Sequence, residues 1–343
     1  MSAVRPLSRR RQVASRLVTA ALTVVLASVL VTTATGLLAV LLARQGGSGP
    51  GGTGQGGTGQ GGTGQGGTGG GTGGGTVDAV AVPGLQPLGA PGRPATPALP
   101  PPPAPVDAPA VLAAVDAAAA AARGTVDVVV LDAAGRPLVA GPSSGEVRYT
   151  ASLVKLLVVG RLLALDATGA LELGDRDLAL MERAIVRSDD GAMSVLWDRH
   201  DGAALVTAAA AGAGLTATAP PAVAGEWGEA TTSAADVATF LAGLATTSGS
   251  APAAPLLGWM QTTTATAADG FDQVFGLLQG AAGVAAKQGW MCCVDGRRQL
   301  HSAGVLPDGR VVVLLGDFPT STSWARARSA LDAAAVAVLG AVG

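Results

Sequence analysis

The two lysines of this 343-residue chain are its first candidates for chemistry. Lys155 and Lys287 are the only lysines among 22 basic residues, so every other basic side chain is arginine. An amine that is buried or placed beside another cation can lose its proton and act as a base, whereas a guanidinium stays protonated at any working pH. The composition therefore indicates that these two positions require an amine.

A serine lies three residues before the first lysine, in the segment Ser152-Leu153-Val154-Lys155. An apolar run follows at 156–159, which predicts a helix whose first turn carries both residues on one face. Ser152 could then give its hydroxyl proton to the amine, while the helix N-terminus favours the oxyanion that develops. The alternative is that Ser152 only caps the helix. Such a pair arises by chance about once in a chain of this length, so other motifs must decide.

Two later motifs help to decide whether Ser152 is a nucleophile or only a helix cap. Ser188-Asp189-Asp190 follows the predicted helix, and Lys287-Gln288-Gly289 lies on a predicted late strand. The three motifs in this order resemble those of class A β-lactamases and penicillin-binding proteins, and the resemblance extends over about residues 107–343. Helix capping explains the second motif alone, but it explains neither Lys287 nor the order of all three.

The resemblance implies an acyl-enzyme mechanism with a role for each motif residue. Ser152 would be the acylated nucleophile, Lys155 its general base, and Ser188 the relay that passes a proton to the leaving nitrogen. The substrate would be a β-lactam or a D-Ala-D-Ala-like cell-wall peptide, whose carboxylate Lys287 steers. The backbone N–H groups of Ser152 and Trp290 would form the oxyanion hole, with no cofactor or metal. The residues expected to contact the substrate are Asp190, Lys287, Gln288, Gly289 and Trp290.

The sequence departs from the family pattern at two positions. Asp190 stands where the family usually has Asn, and Gln288 stands where Thr or Ser is usual. An Asp there could form an ion pair with Lys155 and favour its charged form, which weakens the base. Gln288 lacks the hydroxyl that normally helps to hold a substrate carboxylate.

The segment 211–230 is too short and Ala-rich to resemble the loop that carries the deacylating glutamate of class A enzymes. Glu226 and Glu229 are its only carboxylates, so we expect slow deacylation. Two hypotheses follow for residues 107–343. One is an extracytoplasmic serine hydrolase, and the other is a catalytically inert module that keeps the fold and binds the cell envelope.

The N-terminal region predicts attachment to a membrane. Residues 17–43 carry no charge and follow an Arg-rich segment, 1–16, which the positive-inside rule places in the cytoplasm. The alternative is a signal peptide whose cleavage releases a secreted protein. No cysteine follows closely, which argues against a lipid anchor. Residues 44–106 contain a Gly-Gly-Thr-Gly-Gln repeat and then Pro-rich sequence, which predicts a disordered linker that holds the domain away from the membrane.

Within residues 107–343, hydrophobic periodicity predicts strands, then helices, then strands again. The expected fold is α+β, with three α/β/α layers, an antiparallel sheet of about five strands formed by both ends of the domain, and a helical subdomain. The predicted helices are 111–123, several within 152–260, and 323–339. The predicted strands are 125–132, 137–140, 284–290, 299–306 and 310–315.

Composition excludes several other classes of function. Residues 1–44 hold six Arg and no acid, so the remainder has 16 basic against 24 acidic residues, and this excess of acid argues against nucleic acid binding. The only two His, His200 and His301, are not spaced as metal ligands and are interpreted as structural. Cys292 and Cys293 are neighbours that cannot form an ordinary disulfide without strain, and they too are interpreted as structural.

Overall fold

A computed structural model of the chain describes residues 105–342. The predicted cytoplasmic segment 1–16, the predicted membrane segment 17–43 and almost all of the predicted linker 44–106 lie outside the described residues. Among residues 105–342, no helix has both the length and the apolar character to cross a membrane. The helices are α1 (Ala108–Ala121), α2 (Val154–Ala167), α3 (Asp175–Val186), α4 (Asp190–His200), α5 (Gly202–Ala213), α6 (Ala234–Thr246), α7 (Ala253–Gln261), α8 (Leu277–Gly280) and α9 (Trp324–Val342).

The strands of the main sheet are β1 (Thr125–Leu131), β2 (Pro137–Ala140), β5 (Ala285–Val294), β6 (Arg297–Val305) and β7 (Val311–Pro319). Both ends of the domain contribute to this antiparallel sheet, whose strand order is β2-β1-β7-β6-β5. The predicted five-stranded α+β sheet is therefore confirmed. Asp295 and Gly296 form the turn between β5 and β6 with φ angles of 51° and 71°, as expected for an Asp-Gly hairpin.

Helices cover both faces of this sheet. Along β7, Val311 and Val313 pack into the core beneath the helical region, whereas Val312 and Leu314 pack into a second core beneath α1 and α9. An unbroken apolar run is expected of a strand that is buried on both faces, because successive side chains point to opposite sides. Helices therefore pack on both faces of the sheet, which confirms the three α/β/α layers that the sequence predicted.

A second sheet, which the sequence did not predict, holds two loops next to the main one. β3 (Arg148–Tyr149) pairs with β4 (Thr231–Thr232), and each is only two residues long. Strands this short carry no readable periodicity. Their pairing fixes the entry into α2, where the first motif lies.

The end of strand β5, which carries both cysteines, differs from the sequence prediction. Strand β5 continues to Val294, four residues beyond its predicted end. A bulge between Cys292 and Val294 takes Cys293 out of the ladder with β6. Cys292 and Cys293 are exposed and are joined as a disulfide, which their adjacency in the sequence had argued against. The bulge explains why a regular alternation of the two side chains is not kept here.

His301 is structural, as its isolation in the sequence suggested. Its ring is fully buried on β6, and Nε2 lies 2.9 Å from the Tyr149 carbonyl oxygen, which ties the main sheet to β3. Burial lowers the pKa of His301 from its ordinary 6.5 to about 4. The imidazole is therefore neutral at physiological pH.

We expect His301 to make folding depend on pH. The unfolded chain binds this proton at a higher pH than the folded chain does, so the stability is complete above pH 6.5 and is lost as the pH falls towards 4. The full difference is about 3 kcal/mol. Urea unfolding of the native protein and of His301→Gln at pH 7 and pH 4 measures it. A native protein that loses no more stability than the variant over this range contradicts the prediction.

Candidate active site

Ser152 lies in a strained turn between β3 and α2. A short 3-10 segment, Ala151–Leu153, precedes the helix, and Ala151 has a φ of 46°, which non-glycine residues rarely adopt. The Thr150 N–H donates to the Ala230 carbonyl oxygen at 2.7 Å, which fixes the start of the turn to the loop before β4. The Ser152 side chain is buried at the base of a cleft.

Lys155 is fully buried one helical turn further on, and oxygen atoms surround its amine. Nζ lies 2.8 Å from Ser152 Oγ, as the i, i+3 spacing predicted. It also donates to the Ser188 carbonyl oxygen at 2.8 Å and to Asp190 Oδ1 at 2.6 Å. The ion pair that the sequence suggested between Asp190 and this lysine is therefore present.

Ser188 lies between the two lysines. Its Oγ accepts hydrogen bonds from Lys155 Nζ at 3.2 Å and from Lys287 Nζ at 2.8 Å. A hydroxyl has two acceptor lone pairs and one proton, so the two amines leave its proton available to a third group. This arrangement suits a relay of protons.

The turn that carries Ser188 is held by neighbours that sequence reasoning did not identify. Ser188 has a φ of 49°, so it is a second strained position in the site. Asp189 caps α4 through the Ala192 N–H at 2.9 Å, and its other oxygen accepts from Arg183 Nη2 at 2.5 Å. The capping interpretation of this motif is thus correct for Asp189, and it coexists with the contacts of Ser188.

Neighbouring residues of β5 point in opposite directions. Lys287 faces the site, where its fully buried amine also donates to the Gln288 carbonyl oxygen at 2.7 Å. The Gln288 side chain faces away, and its Nε2 donates to the carbonyl oxygens of Gln273 at 3.2 Å and Phe275 at 2.5 Å. The alternation of a strand explains the difference. Gln288, which was expected to contact substrate, therefore does not line the cleft.

Burial governs the protonation of both amines. It lowers the pKa of Lys155, while the Asp190 carboxylate acts in the opposite direction. Burial and the charge on Lys155 together hold the pKa of Lys287 well below its usual range. A lysine with a lowered pKa is suited to act as a base, and Asp190 limits that effect.

The cleft above Ser152 has a volume of about 220 Å³. The Trp227 ring covers Lys155, with Nζ 4.8 Å from the ring centroid, and its Nε1 donates to Ser194 Oγ at 3.2 Å. Glu226 lines the cleft, whereas Glu229 does not. The lining residues are Ala151, Ser152, Asp190, Gly225, Glu226, Trp227, Gly228, Trp290 and Met291.

Trp290 forms the opposite part of the lining, on β5. Its ring stacks on Phe271 with the centroids 4.6 Å apart, and its Nε1 donates to Asp269 Oδ2 at 3.1 Å. Neither Phe271 nor Asp269 was identified from the sequence, because both lie in a loop without a recognisable motif. They hold the indole at the edge of the cleft.

Gly289 lets β5 approach the nucleophile turn. A Cβ at this position would lie 3.2 Å from His301 Cδ2, 3.3 Å from the Thr150 carbonyl oxygen and 3.4 Å from Leu153 Cγ. We expect Gly289→Ala to push the strand away from the turn and to lower the free energy of unfolding by about 1–3 kcal/mol. Thermal and urea unfolding measure the change.

Gly258→Ala on α7 is the matched control for that substitution. Nothing lies within 4 Å of its Cβ position, and alanine favours a helix. We expect it to be neutral or stabilising by up to about 1 kcal/mol. Equal losses in the two variants would show that close packing at Gly289 is not the cause.

Comparison with solved structures identifies the class to which this fold belongs. Solved structures with the same fold include a β-lactamase from Chitinophaga pinensis (18% identity, TM-score 0.56, 68% of this chain and 99% of that one). A β-lactamase from Sphaerobacter thermophilus has 18% identity and a TM-score of 0.55 over 69% of this chain and 98% of its own. A PBP-A mutant solved as an acyl-enzyme complex with penicillin G has 18% identity and a TM-score of 0.53 over 68% and 96% of the two chains. The domain therefore has the fold of serine β-lactamases and penicillin-binding proteins.

Curated relatives define the family more narrowly. Proteins of Mycobacterium bovis and Mycobacterium tuberculosis named "Putative lipoprotein LppW" are each 36% identical to this chain over 216 residues. The match covers 61% of this chain and 68% of each relative. No protein-family model matches the chain. The chain belongs to the family of these mycobacterial proteins.

Proposed function

We propose that this protein is a serine hydrolase that forms an acyl-enzyme at Ser152 with β-lactams or D-Ala-D-Ala-type peptides. The observation that carries the proposal is the contact of 2.8 Å between Ser152 Oγ and the buried Lys155 Nζ. A nucleophile within hydrogen-bond reach of a base is the arrangement that activates a hydroxyl. Helix capping requires no such partner.

The reaction uses the two lysines and Ser188 as one proton path. Neutral Lys155 takes the proton of Ser152, whose oxygen attacks the carbonyl carbon while the backbone N–H groups of Ser152 and Trp290 bind the developing oxyanion. The carbon–nitrogen bond then breaks. Ser188 gives its proton to the leaving nitrogen and regains one from Lys155, so that the acyl ester remains on Ser152. Lys287 holds Ser188 in place through its hydrogen bond of 2.8 Å.

Hydrolysis of the acyl-enzyme is the slow step of the proposed reaction. Hydrolysis of the ester needs a group that activates water, and Glu226 is the only one of the two candidate glutamates that lines the cleft. Its side chain is exposed to solvent rather than buried beside Ser152. A long-lived adduct is the consequence.

Treatment of the purified full-length protein with a fluorescent penicillin tests the proposal. A mass increase equal to the whole reagent, mapped to the peptide that contains Ser152, is the expected result, because ring opening releases no fragment. Ser152→Ala should remain unlabelled, and Ser329→Ala, on the exposed face of α9, should be labelled normally. Absence of any adduct at high reagent concentration would rule out this reactivity.

An inert envelope-binding module is the second candidate, favoured by the contact of 2.6 Å between Asp190 and Lys155. This ion pair opposes the neutral amine that the reaction requires. The variant Asp190→Asn restores the usual residue of the family at the position that contacts Lys155. If it is acylated and the natural protein is not, the natural protein is the inert module.

The proposed location is the cell envelope. The mycobacterial relatives are named lipoproteins, whereas the only cysteines of this chain are Cys292 and Cys293, far from the N-terminal segment. We therefore assign membrane attachment to residues 17–43, with residues 1–16 in the cytoplasm and the domain outside. Secretion after signal cleavage is the alternative, and the N-terminal residue of the mature protein distinguishes the two.

A further inference from the structure

The charges at the surface of the cleft are negative. Lys155 and Lys287 contribute no exposed side-chain surface, and both lie beneath the cleft rather than in its lining. The side chain of Asp190 is 63% exposed, and Glu226 is exposed beside it. Among the residues that line the cleft, all of which the structure describes, these two carboxylates are the only charged groups.

A third carboxylate lies at the edge of the same cleft. Asp269 is exposed and accepts a hydrogen bond from the indole of Trp290, which lines the cleft. Three carboxylates therefore lie around the cleft above the two buried lysine amines. A ligand in the cleft meets the carboxylates first, since both lysines are buried beneath the residues that line the cleft.

The buried lysines are poorly placed to bind a ligand carboxylate. The amine of Lys287 donates to Ser188 Oγ at 2.8 Å and to the Gln288 carbonyl oxygen at 2.7 Å. The Gln288 side chain, at the position where a hydroxyl usually helps to hold such a carboxylate, points away from the cleft. A carboxylate would have to approach past Asp190 and Glu226, which repel it.

The remaining lining suits a positive group. The indoles of Trp227 and Trp290 and the thioether of Met291 line the cleft together with the two carboxylates. Indole rings combined with carboxylates attract ammonium groups through the ring quadrupole and through charge. Soft, polarizable sulfur adds apolar contact for the methyl groups of a quaternary ammonium.

We infer that the cleft takes acyl compounds that carry an ammonium or quaternary ammonium group near the reacting carbonyl, in preference to compounds that carry a carboxylate there. The inference rests on the proposed function for acylation of Ser152, and it changes the preferred substrate class, because β-lactams and D-Ala-D-Ala-type peptides usually carry the carboxylate that this cleft disfavours. Its binding component, the selection of a cation, does not depend on acylation.

Benzylpenicillin and two of its amides test the inference on the full-length protein. Benzylpenicillin carries the carboxylate, its methylamide is neutral, and its 2-(trimethylammonio)ethyl amide is cationic. We expect the cationic amide to acylate Ser152 about tenfold faster than the methylamide, and the carboxylate to react most slowly. Intact-mass measurements over time give the three rates. Faster reaction of the carboxylate, or equal rates for the two amides, would overturn the inference and leave the proposed function standing.

Glu226→Gln isolates the contribution of one carboxylate. We expect it to lower the preference for the cationic amide over the methylamide by about threefold, whereas Glu172→Gln, which removes an exposed glutamate outside the cleft lining, should leave the preference unchanged. The effect should also weaken at high salt, because salt screens exposed charges. Equal effects of the two variants would contradict a local charge preference.

Binding without reaction separates the inference from the proposed function. The Ser152→Ala protein is titrated with choline and with its neutral isostere 3,3-dimethylbutanol, and the indole N–H resonances of Trp227 and Trp290 are followed by NMR. We expect both resonances to shift with choline at concentrations where the alcohol has no effect. If no penicillin labels the natural protein but choline is still selected, the proposed function fails and the cation site stands. If the two compounds bind alike, the cation site is wrong.

Discussion

Replacement of Lys155 by arginine is expected to lower the rate of Ser152 acylation by about two to four orders of magnitude. The guanidinium keeps its positive charge and its hydrogen-bond donors, but it cannot take the serine proton at any pH at which the protein is folded. The natural amine is suited to that role because burial lowers its pKa. The rate of adduct formation with a fluorescent penicillin measures the change.

A second variant separates chemistry from folding at this position. The larger guanidinium must fit where the natural side chain is completely buried, so some loss of stability accompanies the substitution. Lys155→Met keeps a similar length without charge or basicity, and we expect it to fold and to be equally slow in acylation. Acylation at the natural rate by either variant, in protein shown to be folded by circular dichroism, would exclude Lys155 as the base.

Asp190→Asn is expected to accelerate acylation at neutral pH by about tenfold or more, because each unit of pKa changes the neutral fraction of the amine tenfold. The Asp190 carboxylate raises the pKa of Lys155 against the effect of burial. An amide at the same position cannot do so, although it can still accept a hydrogen bond from the amine.

The pH profile gives the sign of this effect. Acylation requires the neutral amine, so its rate should rise as the pH rises through the pKa of Lys155 and then level off. In Asp190→Asn the pKa is lower, and the rising part of the profile should move to lower pH. At high pH the acylation rates of the natural protein and of Asp190→Asn should become equal. Asp236→Asn is an unsuitable control because the buried Asp236 carboxylate accepts hydrogen bonds from the N–H groups of Thr216 and Ala217. Asp198→Asn, on the exposed surface of α4, is preferred. A profile that stays in place after Asp190→Asn would contradict the role given to the ion pair.

The parts of the site that the sequence predicted depend on residue type and local spacing. Ser152 and Lys155 are one helical turn apart, so their contact follows from helix geometry. The meeting of Ser188 with Lys287, 99 residues later, could not be calculated from spacing, and only the family resemblance connected them. The five-stranded sheet was predictable because its strands are apolar runs bounded by turn residues.

The parts that were missed depend on tertiary contacts. The positive φ angles at Ala151 and Ser188 arise from the surrounding structure and have no glycine to indicate them. Asp269 reaches Trp290 from a loop without periodicity. The direction of Gln288 depended on the register of β5, and a shift of one residue reverses every side chain of a strand.

The Gln288 side chain points away from the cleft and into the protein. The two departures from the family motifs, Asp190 and Gln288, therefore differ in how easily each can be reversed. Asp190 is exposed, so asparagine can replace it without disturbing its neighbours. The amide of Gln288 instead joins β5 to the loop that carries Phe271 and Asp269, through the carbonyl oxygens of residues 273 and 275. Threonine is too short, and has too few donors, to satisfy both carbonyls, which would cost about 1–3 kcal/mol. Gln288 of the third motif therefore holds the loop whose Phe271 ring stacks on Trp290. A return to threonine at this position requires a compensating substitution in that loop.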